Sequence, residues 1–262
     1  MQATFEKQGF LKKLKSMLKV DFKRMFTMPL VYIMAGVCFA MPILILVMTS
    51  FMGGESDPST SEAAMEGFTN VWQSIGSVSG GAMGMDLTSM CNINMLYFLV
   101  SVFVCVFVAD DFKSGYAKNL FTVRSKKIDY VFSKSLVTFT GATIMFLAYF
   151  IGAMIGGAIA GLPFTTEGFG AGGVVACMFS KIFMTAIFVS ISLLLGTVAK
   201  QKLWISILGS FAAGMLLFTM IPMIAPLNAN FLNVIMCLAG GAMFAVGLGA
   251  VSNVILNKTS LV

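Results

Sequence analysis

Long apolar runs constrain this chain more than any other feature of its sequence. A helix needs about 20 predominantly apolar residues to cross the hydrocarbon core of a bilayer. Six stretches of the 262-residue chain reach that length: 30–52, 87–109, 136–161, 174–199, 203–222 and 231–256. The chain is also 58% hydrophobic and only 11% charged, too few charges to cover a soluble surface. The sequence therefore predicts an all-α membrane protein, a single domain over residues 1–262 with a six-helix bundle over 30–256.

The basic residues predict the orientation of the six helices. Sixteen of the 17 Lys and Arg residues lie before the first span, between spans two and three, between spans four and five, or after the last. The connections on the opposite side, including a predicted extracellular loop over 53–86, contain acidic residues but no Lys or Arg. Cytoplasmic connections are enriched in Lys and Arg. Both termini are therefore expected in the cytoplasm. The expected location of the chain is the plasma membrane of a bacterium, which this charge pattern does not itself determine.

Lys181 is the one basic residue that falls inside a span, a turn or two from the outer end of the fourth. Its side chain can extend to the outer membrane interface, which costs little near a helix end. Alternatively it faces a polar cavity or an acidic partner such as Glu167. The low cost near a helix end makes the first of these the expectation.

The segment 1–29, before the first span, predicts a helix at the cytoplasmic membrane surface. Apolar residues recur there with the spacing of one helical face, at Leu11, Leu14, Leu18, Phe22 and Met25. A basic amphipathic helix of this kind lies in the interface and contacts membrane lipids. Alternatively, the lysines of this segment only set the topology of the first span. That alternative explains the charge but not the helical spacing of the apolar residues. Anionic lipid also accounts for the charge without nucleic-acid binding.

Polar side chains collect at the outer end of the second span, at Thr88, Ser89, Asn92 and Asn94. Polar groups within a bilayer usually face the interior of the bundle or a water-filled path. These four residues are therefore candidates for a translocation path. Hydrogen bonding between helices explains them equally well.

Glycines with the small-xxx-small spacing occur in the third and last spans: Gly152, Gly156, Gly157 and Gly161, then Gly240, Gly241, Gly247 and Gly249. Such residues let helix backbones approach closely in lipid. Close packing within one protomer is the expected role, and a face between two protomers is the alternative.

Patterns for catalysis or nucleotide binding are missing from the sequence. It has no histidine, and its five cysteines lie in apolar runs without metal-ligand spacing, so buried, inert thiols are expected. It has no P-loop pattern and no HExxH or GxSxG. We therefore expect no catalytic residue, metal or cofactor in this chain. Any energy for transport must come from another source.

The connection between spans two and three carries a second amphipathic pattern. Phe112, Tyr116 and Leu120 recur at every fourth residue, which predicts a short cytoplasmic helix over 112–121. Asp110 and Asp111 are expected to cap its N-terminus. Gly115 in the middle of such a helix costs about 1 kcal/mol relative to alanine, which indicates close contact with another group. Lys126, Lys127 and Lys134 are expected at the lipid boundary.

This segment and the topology resemble the small six-helix permeases of ABC exporters, the type-2 ABC permease family with the type V exporter fold. The N-terminal helix resembles the elbow helix of that family. The motif consists of an acidic residue ending the second span, the pair Ser114 and Gly115, a short helix over 117–121, the basic residues Arg124, Lys126 and Lys127, and Lys134 entering the third span. The chain departs from the motif at Tyr116, where the family often has a small hydroxyl residue, and at Val123, where it often has proline.

The resemblance implies that residues 110–124 form a coupling helix, which docks in a groove of a separate ATPase subunit and transmits its ATP-driven motion. ATP and Mg²⁺ would be bound by that partner, and a second permease chain, identical or different, would complete the exporter. The implied substrate is a peptide, an antimicrobial or another amphipathic molecule. The implied docking residues are Asp110, Asp111, Phe112, Lys113, Ser114, Gly115, Tyr116, Lys118, Asn119, Leu120 and Arg124.

Other interpretations remain open at this point. The connection can be an ordinary loop whose lysines only set topology. The chain can be a self-contained channel or passive transporter not coupled to ATP, or a non-transporting assembly or sensor subunit. An enzyme is not expected, because the sequence has no catalytic constellation.

Overall fold

The computed structural model describes residues 10–52, 68–76, 92–123, 127–166 and 168–258. Within these ranges the chain is helical and contains no strand. Most of the predicted extracellular loop over 53–86 lies outside the described residues, as do Thr88, Ser89 and Arg124. The four described cysteines are buried free thiols, as expected for Cys38, Cys105, Cys177 and Cys237.

The described helices follow the order of the predicted apolar runs. In chain order they are α1 (Phe10–Thr27), α2 (Pro29–Met52), α3 (Leu96–Lys113), α4 (Tyr116–Val123), α5 (Ile128–Ala160), α6 (Gly170–Ala199), α7 (Leu203–Phe218), α8 (Ile221–Ile224) and α9 (Phe231–Lys258). Two 3₁₀-helices, Val71–Ser74 and Ile93–Met95, precede α3.

Five of the described helices are long and apolar enough to cross a membrane: α2, α3 with its preceding 3₁₀ turn, α5, α6 and α9. Helix α7 is apolar but has only 16 residues. Several of these helices expose large apolar side chains in the single chain, such as Phe51 on α2 and Phe231 on α9. Exposed apolar helix faces of this extent are typical of a multi-pass membrane protein, whose outer surface contacts lipid.

Helix α3 lies in the core of the bundle. Most of its side chains are buried, among them Val100, Phe103, Val104 and Phe107. It contacts α6, α7, α5 and α2, while α2 packs along α5 and α9 packs along α6. Because α3 contacts so many helices, the residues at its two ends are positioned by the whole bundle.

Glycines bring α5 against α2. A Cβ atom on Gly152 would overlap the Phe39 carbonyl oxygen, and one on Gly156 would lie 2.7 Å from Ile43 Cα. These two glycines therefore serve packing within the protomer. Of the glycines on α9, Gly241 also packs closely within the protomer, against α6. A Cβ on Gly240 would meet nothing within 4 Å.

Helices α7 and α8 run from one end of α6 back to the other. Leu203 follows the C-terminal end of α6 after a short turn. At the far end the Cys177 thiol, near the start of α6, lies 3.5 Å from the Ala225 carbonyl oxygen. A Cβ on Gly173 would lie 3.0 Å from the Leu227 oxygen. The segment 203–227 thus covers the length of α6.

The predicted helix over 112–121 is wrong in its extent. Helix α3 continues through Asp110 and Asp111 to Lys113, and the chain then breaks at Gly115, whose φ is +74°. Glycine adopts this left-handed conformation without the steric penalty of a side chain. Asp110 and Asp111 therefore lie in the last turn of α3 and do not cap α4, which begins at Tyr116.

Candidate functional site

A buried ion network joins α1, the C-terminal end of α3 and the N-terminal part of α5. Lys134 of α5 places Nζ 3.0 Å from Asp21 Oδ1 of α1 and 2.8 Å from Asp111 Oδ2 of α3. The side chains of all three residues are fully buried. A buried ammonium between two carboxylates is compensated for its lost hydration, and it fixes the three helices relative to one another. The prediction that Lys134 lies at the lipid boundary is therefore wrong.

Arg24 ties α1 to α3 a second time. Its two terminal nitrogens lie 2.5 Å from Asp111 Oδ1 and 3.1 Å from Asp110 Oδ2. Asp111 is thus shared between Arg24 on one side and Lys134 on the other. Asp110 is partly exposed, so the network reaches the surface at this point.

Hydroxyl groups complete the coordination of the carboxylates. Tyr130 OH donates to Asp111 Oδ2 at 2.8 Å, and Ser133 Oγ donates to Asp21 Oδ2 at 2.5 Å. Both donors lie on α5 within one turn of Lys134, so one helix supplies an ammonium and two hydroxyls to carboxylates from two other helices. Charged groups whose remaining oxygens are hydrogen-bonded in this way tolerate burial best.

Tyr116 attaches α4 to the same network. Its hydroxyl lies 3.4 Å from Asp21 Oδ1, a long contact, and the Arg24 guanidinium carbon lies 4.1 Å above the centre of its ring. Burial, with a smaller effect from the negative charges of Asp21 and Asp111, raises the pKa of Tyr116 to about 12. The hydroxyl therefore stays protonated at physiological pH and remains a donor.

Helix α4 presents one face to this network and another to the outside. Ala117 is fully buried, Leu120 and Phe121 are half-buried, and the Phe121 ring packs edge-on against Tyr130 with 5.2 Å between centroids. The exposed residues around α4 are polar: Lys113, Ser114, Lys118, Asn119 and Thr122.

The implied docking residues therefore divide into two groups. Lys113, Ser114, Lys118 and Asn119 are exposed, whereas Asp111 and Phe112 are buried and Asp110, Gly115, Tyr116 and Leu120 are half-buried; Arg124 lies outside the described residues. Only the exposed group is free to contact another protein in this conformation.

The apolar face of α1 packs on the helix bundle. Leu14 and Met25 are buried, Leu18 and Phe22 are half-buried, and the face lies mainly against α5. The side chain of Leu11 lies outside the described residues. Lys15, Lys19 and Lys23 are exposed on the opposite side. The apolar face predicted for α1 therefore contacts other helices of the protein and not lipid. The buried Asp21 lies on the same face.

A second buried charge lies nearer the other end of the bundle. Lys181 of α6 is fully buried and its Nζ lies 2.5 Å from Asn94 Oδ1. The expectation that this lysine extends to the membrane interface is therefore wrong. Asn94 and Asn92 are both buried, and the Asn92 side chain accepts a hydrogen bond from the Asn94 amide at 2.9 Å. Their assignment to a translocation path stays a prediction.

Sequence reasoning missed Asp21, and it singled out Lys134 but placed it at the lipid boundary and not in an ion network. Asp21 lies between Leu18 and Met25 at helical spacing. An acidic residue on the apolar face of a helix is the pattern that could have indicated a buried ion pair.

Searches of protein-family models, of curated proteins and of solved structures find no match for this chain.

Proposed function

We propose that this chain is the membrane-spanning permease subunit of an ATP-driven exporter in the plasma membrane. In this proposal α4 docks on a separate ATPase subunit, which binds ATP and Mg²⁺, and a second permease chain completes the translocation path. The observation that carries the proposal is the attachment of α4: its outer face is polar and exposed, and its inner face is held by the ion network of α1, α3 and α5.

A docking helix is useful only if its movement reaches the membrane helices. Tyr116 contacts both Arg24 and Asp21, and these residues bind Asp111 and Lys134 respectively. Breaking a buried ion pair by removing one partner costs about 3–5 kcal/mol. A displacement of α4 is therefore expected to carry the ends of α1, α3 and α5 with it, because moving α4 alone would disrupt these contacts.

The proposal includes six crossings with both termini in the cytoplasm. The segment of α7 and α8 supplies the sixth crossing, which its extent along α6 supports. Helix α1 is then the elbow helix on the cytoplasmic side, with Lys15, Lys19 and Lys23 turned towards anionic lipid.

The test is co-expression of the tagged chain with candidate ABC-type ATPases, followed by purification in mild detergent. ATP hydrolysis by the eluate measures the retained ATPase. The double variant K118E/T122E changes only exposed positions of α4 and is expected to lower the retained activity by about tenfold or more. The matched control is K202E, an exposed lysine in the connection between α6 and α7, which is expected to retain the ATPase.

A self-contained channel gives the opposite result. In that case no ATPase is retained by the wild-type chain, and liposomes containing the purified chain alone pass ions or small dyes without ATP. These two observations together would replace the exporter by the channel.

A further inference from the structure

Among the described residues, Lys181 differs from the buried Lys134 in having no acidic partner. Within the described ranges the ion pairs are those of Arg24 and Lys134, and Lys181 has none. Its Nζ is held by the Asn94 side-chain oxygen alone, at 2.5 Å. An ammonium group has three N–H donors. Two donors of a fully buried cation are thus left without a described acceptor.

Aromatic side chains lie beside the Lys181 backbone, and the thiols of Cys177 and Cys237 lie near its side chain. The Tyr97 hydroxyl binds the Lys181 backbone oxygen at 3.0 Å, so that hydroxyl is already engaged as a donor. The Tyr97 ring stacks on Phe188 with 4.4 Å between centroids and lies 5.2 Å from Phe146. A neutral amide compensates a buried charge much less than an anion does, so this position favours a negatively charged oxygen.

Lys181 lies well inside α6 and not at its end. Lys181 lies 11 residues from the first residue of α6, about 16 Å along the helix at 1.5 Å per residue. Asn94 belongs to the short 3₁₀ turn that precedes α3, so it sits at the end of that helix and not in its hydrogen-bonded interior.

We propose that Lys181 is the anion-recognising residue of this membrane protein. It binds a carboxylate or phosphate oxygen of an amphipathic molecule, and this oxygen takes the place of the Asn94 side-chain oxygen. The apolar part of the ligand contacts the aromatic side chains around Tyr97. The inference extends the proposed export function, because it assigns an acidic head group to the substrate. It rests on that proposed function only for the direction of transport.

The binding test uses the purified full-length chain in dodecyl maltoside micelles, without any ATPase. The probes share one alkyl chain and differ in head group: dodecyl phosphate, dodecanoate and dodecyltrimethylammonium. Inorganic phosphate is the fourth probe and distinguishes a free anion from an amphiphile. At about 100-fold above its dissociation constant, each anionic amphiphile is expected to raise Tm by about 5 °C or more, and the cation is not.

Variants then assign the effect to one residue. K181M keeps the length of the side chain and is expected to abolish the Tm shift, whereas K181R keeps the charge and the shift. K202M is the matched control for general attraction of anions to surface lysines, and it is expected to respond like the wild type. If K181M does not fold, K181Q takes its place.

Three results would overturn the inference: no shift of the wild type by either anionic amphiphile, the same shift with the cation, or an undiminished shift in K181M. A shift with inorganic phosphate as well supports the anion site and shows that the alkyl chain is not required. Because the ATPase is absent, these results do not depend on whether the chain couples to one.

Discussion

At the residue scale, the most constrained group in the described structure is the Asp111 carboxylate. One of its oxygens lies 2.5 Å from Arg24, and the other accepts from Tyr130 at 2.8 Å and lies 2.8 Å from Lys134. Three helices thus depend on one side chain, since these partners come from α1 and α5. Removing a single cation from such a network leaves buried carboxylates without compensation.

The variant K134M tests this dependence. It leaves Asp21 and Asp111 buried without their shared ammonium, and the free energy of unfolding is expected to fall by about 3–5 kcal/mol. Denaturant unfolding in detergent micelles, followed by near-ultraviolet circular dichroism, measures it. The exposed K118M is the matched control and is expected to change stability by less than about 0.5 kcal/mol. Adding D21N to K134M is expected to cost less than the two single changes together.

The Tyr116 hydroxyl gives a prediction about pH. Burial and the neighbouring carboxylates raise its pKa to about 12, above its usual value of about 10. The folded state therefore holds this proton more tightly than the unfolded state does. The contribution to stability is complete below about pH 10 and is lost as the pH rises towards about 12. The difference in tyrosinate absorbance between wild type and Y116F is expected to titrate near 12, and a midpoint near 10 would contradict the burial of this hydroxyl.

Sequence patterns predict which residues are buried in this site better than which residues pair. Leu14 and Met25 follow from helical spacing and are buried. Lys134 was assigned to the membrane boundary because lysines near span ends usually set topology. Its pairing with Asp21, 113 positions away in the chain, depends on tertiary packing that no local pattern encodes.

At the element scale, Gly115 decides where α3 ends and α4 begins. Its φ of +74° is unfavourable for residues with a side chain, and a Cβ there would meet nothing within 4 Å. G115A therefore adds backbone strain alone and is expected to lower the free energy of unfolding by about 1–2 kcal/mol. G115N is expected to cost less, because asparagine tolerates this conformation better.

A variant of a second glycine, Gly161, distinguishes an effect on stability from an effect on ATPase docking. Gly161, after α5, has φ +68° and equally open surroundings. G161A is expected to cost the same stability as G115A and to retain the co-expressed ATPase, whereas G115A is expected to reduce its retention. Equal retention by both variants would mean that the direction of α4 is unimportant for docking.

The contact between α2 and α5 depends on Gly152. In G152A the new methyl group overlaps the Phe39 carbonyl oxygen, which belongs to the backbone and cannot rotate away. The free energy of unfolding is expected to fall by about 1–3 kcal/mol. G240A on α9 is the control: its methyl group meets nothing within 4 Å, and alanine is the better helix former by up to about 1 kcal/mol. A loss of stability in G240A would instead indicate a face shared with a second chain.

At the scale of the whole molecule, the sequence predicts where the long helices lie better than where they end: five of the six predicted spans correspond to described helices long enough to cross a membrane. Helix α5 begins at Ile128, eight positions before the predicted third span. Its first turns contain buried polar residues, Asp129, Ser133 and Lys134, which make this part of the helix too polar to count as a span. Helix α7 stops at Phe218, and the rest of the predicted fifth span continues as a turn and the short α8. Prolines at 222 and 226 lack the backbone N–H that a continuing helix needs there. A span predicted from hydrophobic composition alone does not show where such a helix ends.

The path of α7 and α8 determines whether the protein has six crossings, and thiol labelling tests it. In a cysteine-free background, K118C, K202C and N228C each place one thiol at an exposed position. Six crossings put positions 118 and 202 in the cytoplasm and 228 outside. An impermeant maleimide is therefore expected to label N228C in intact cells, and the other two only after permeabilisation. The cytoplasmic pair serves as the matched control for membrane integrity.

Labelling of N228C only after permeabilisation would place it on the side of K202C. In that case α7 does not cross, and the expectation that both termini share the cytoplasm fails, because five crossings put them on opposite sides.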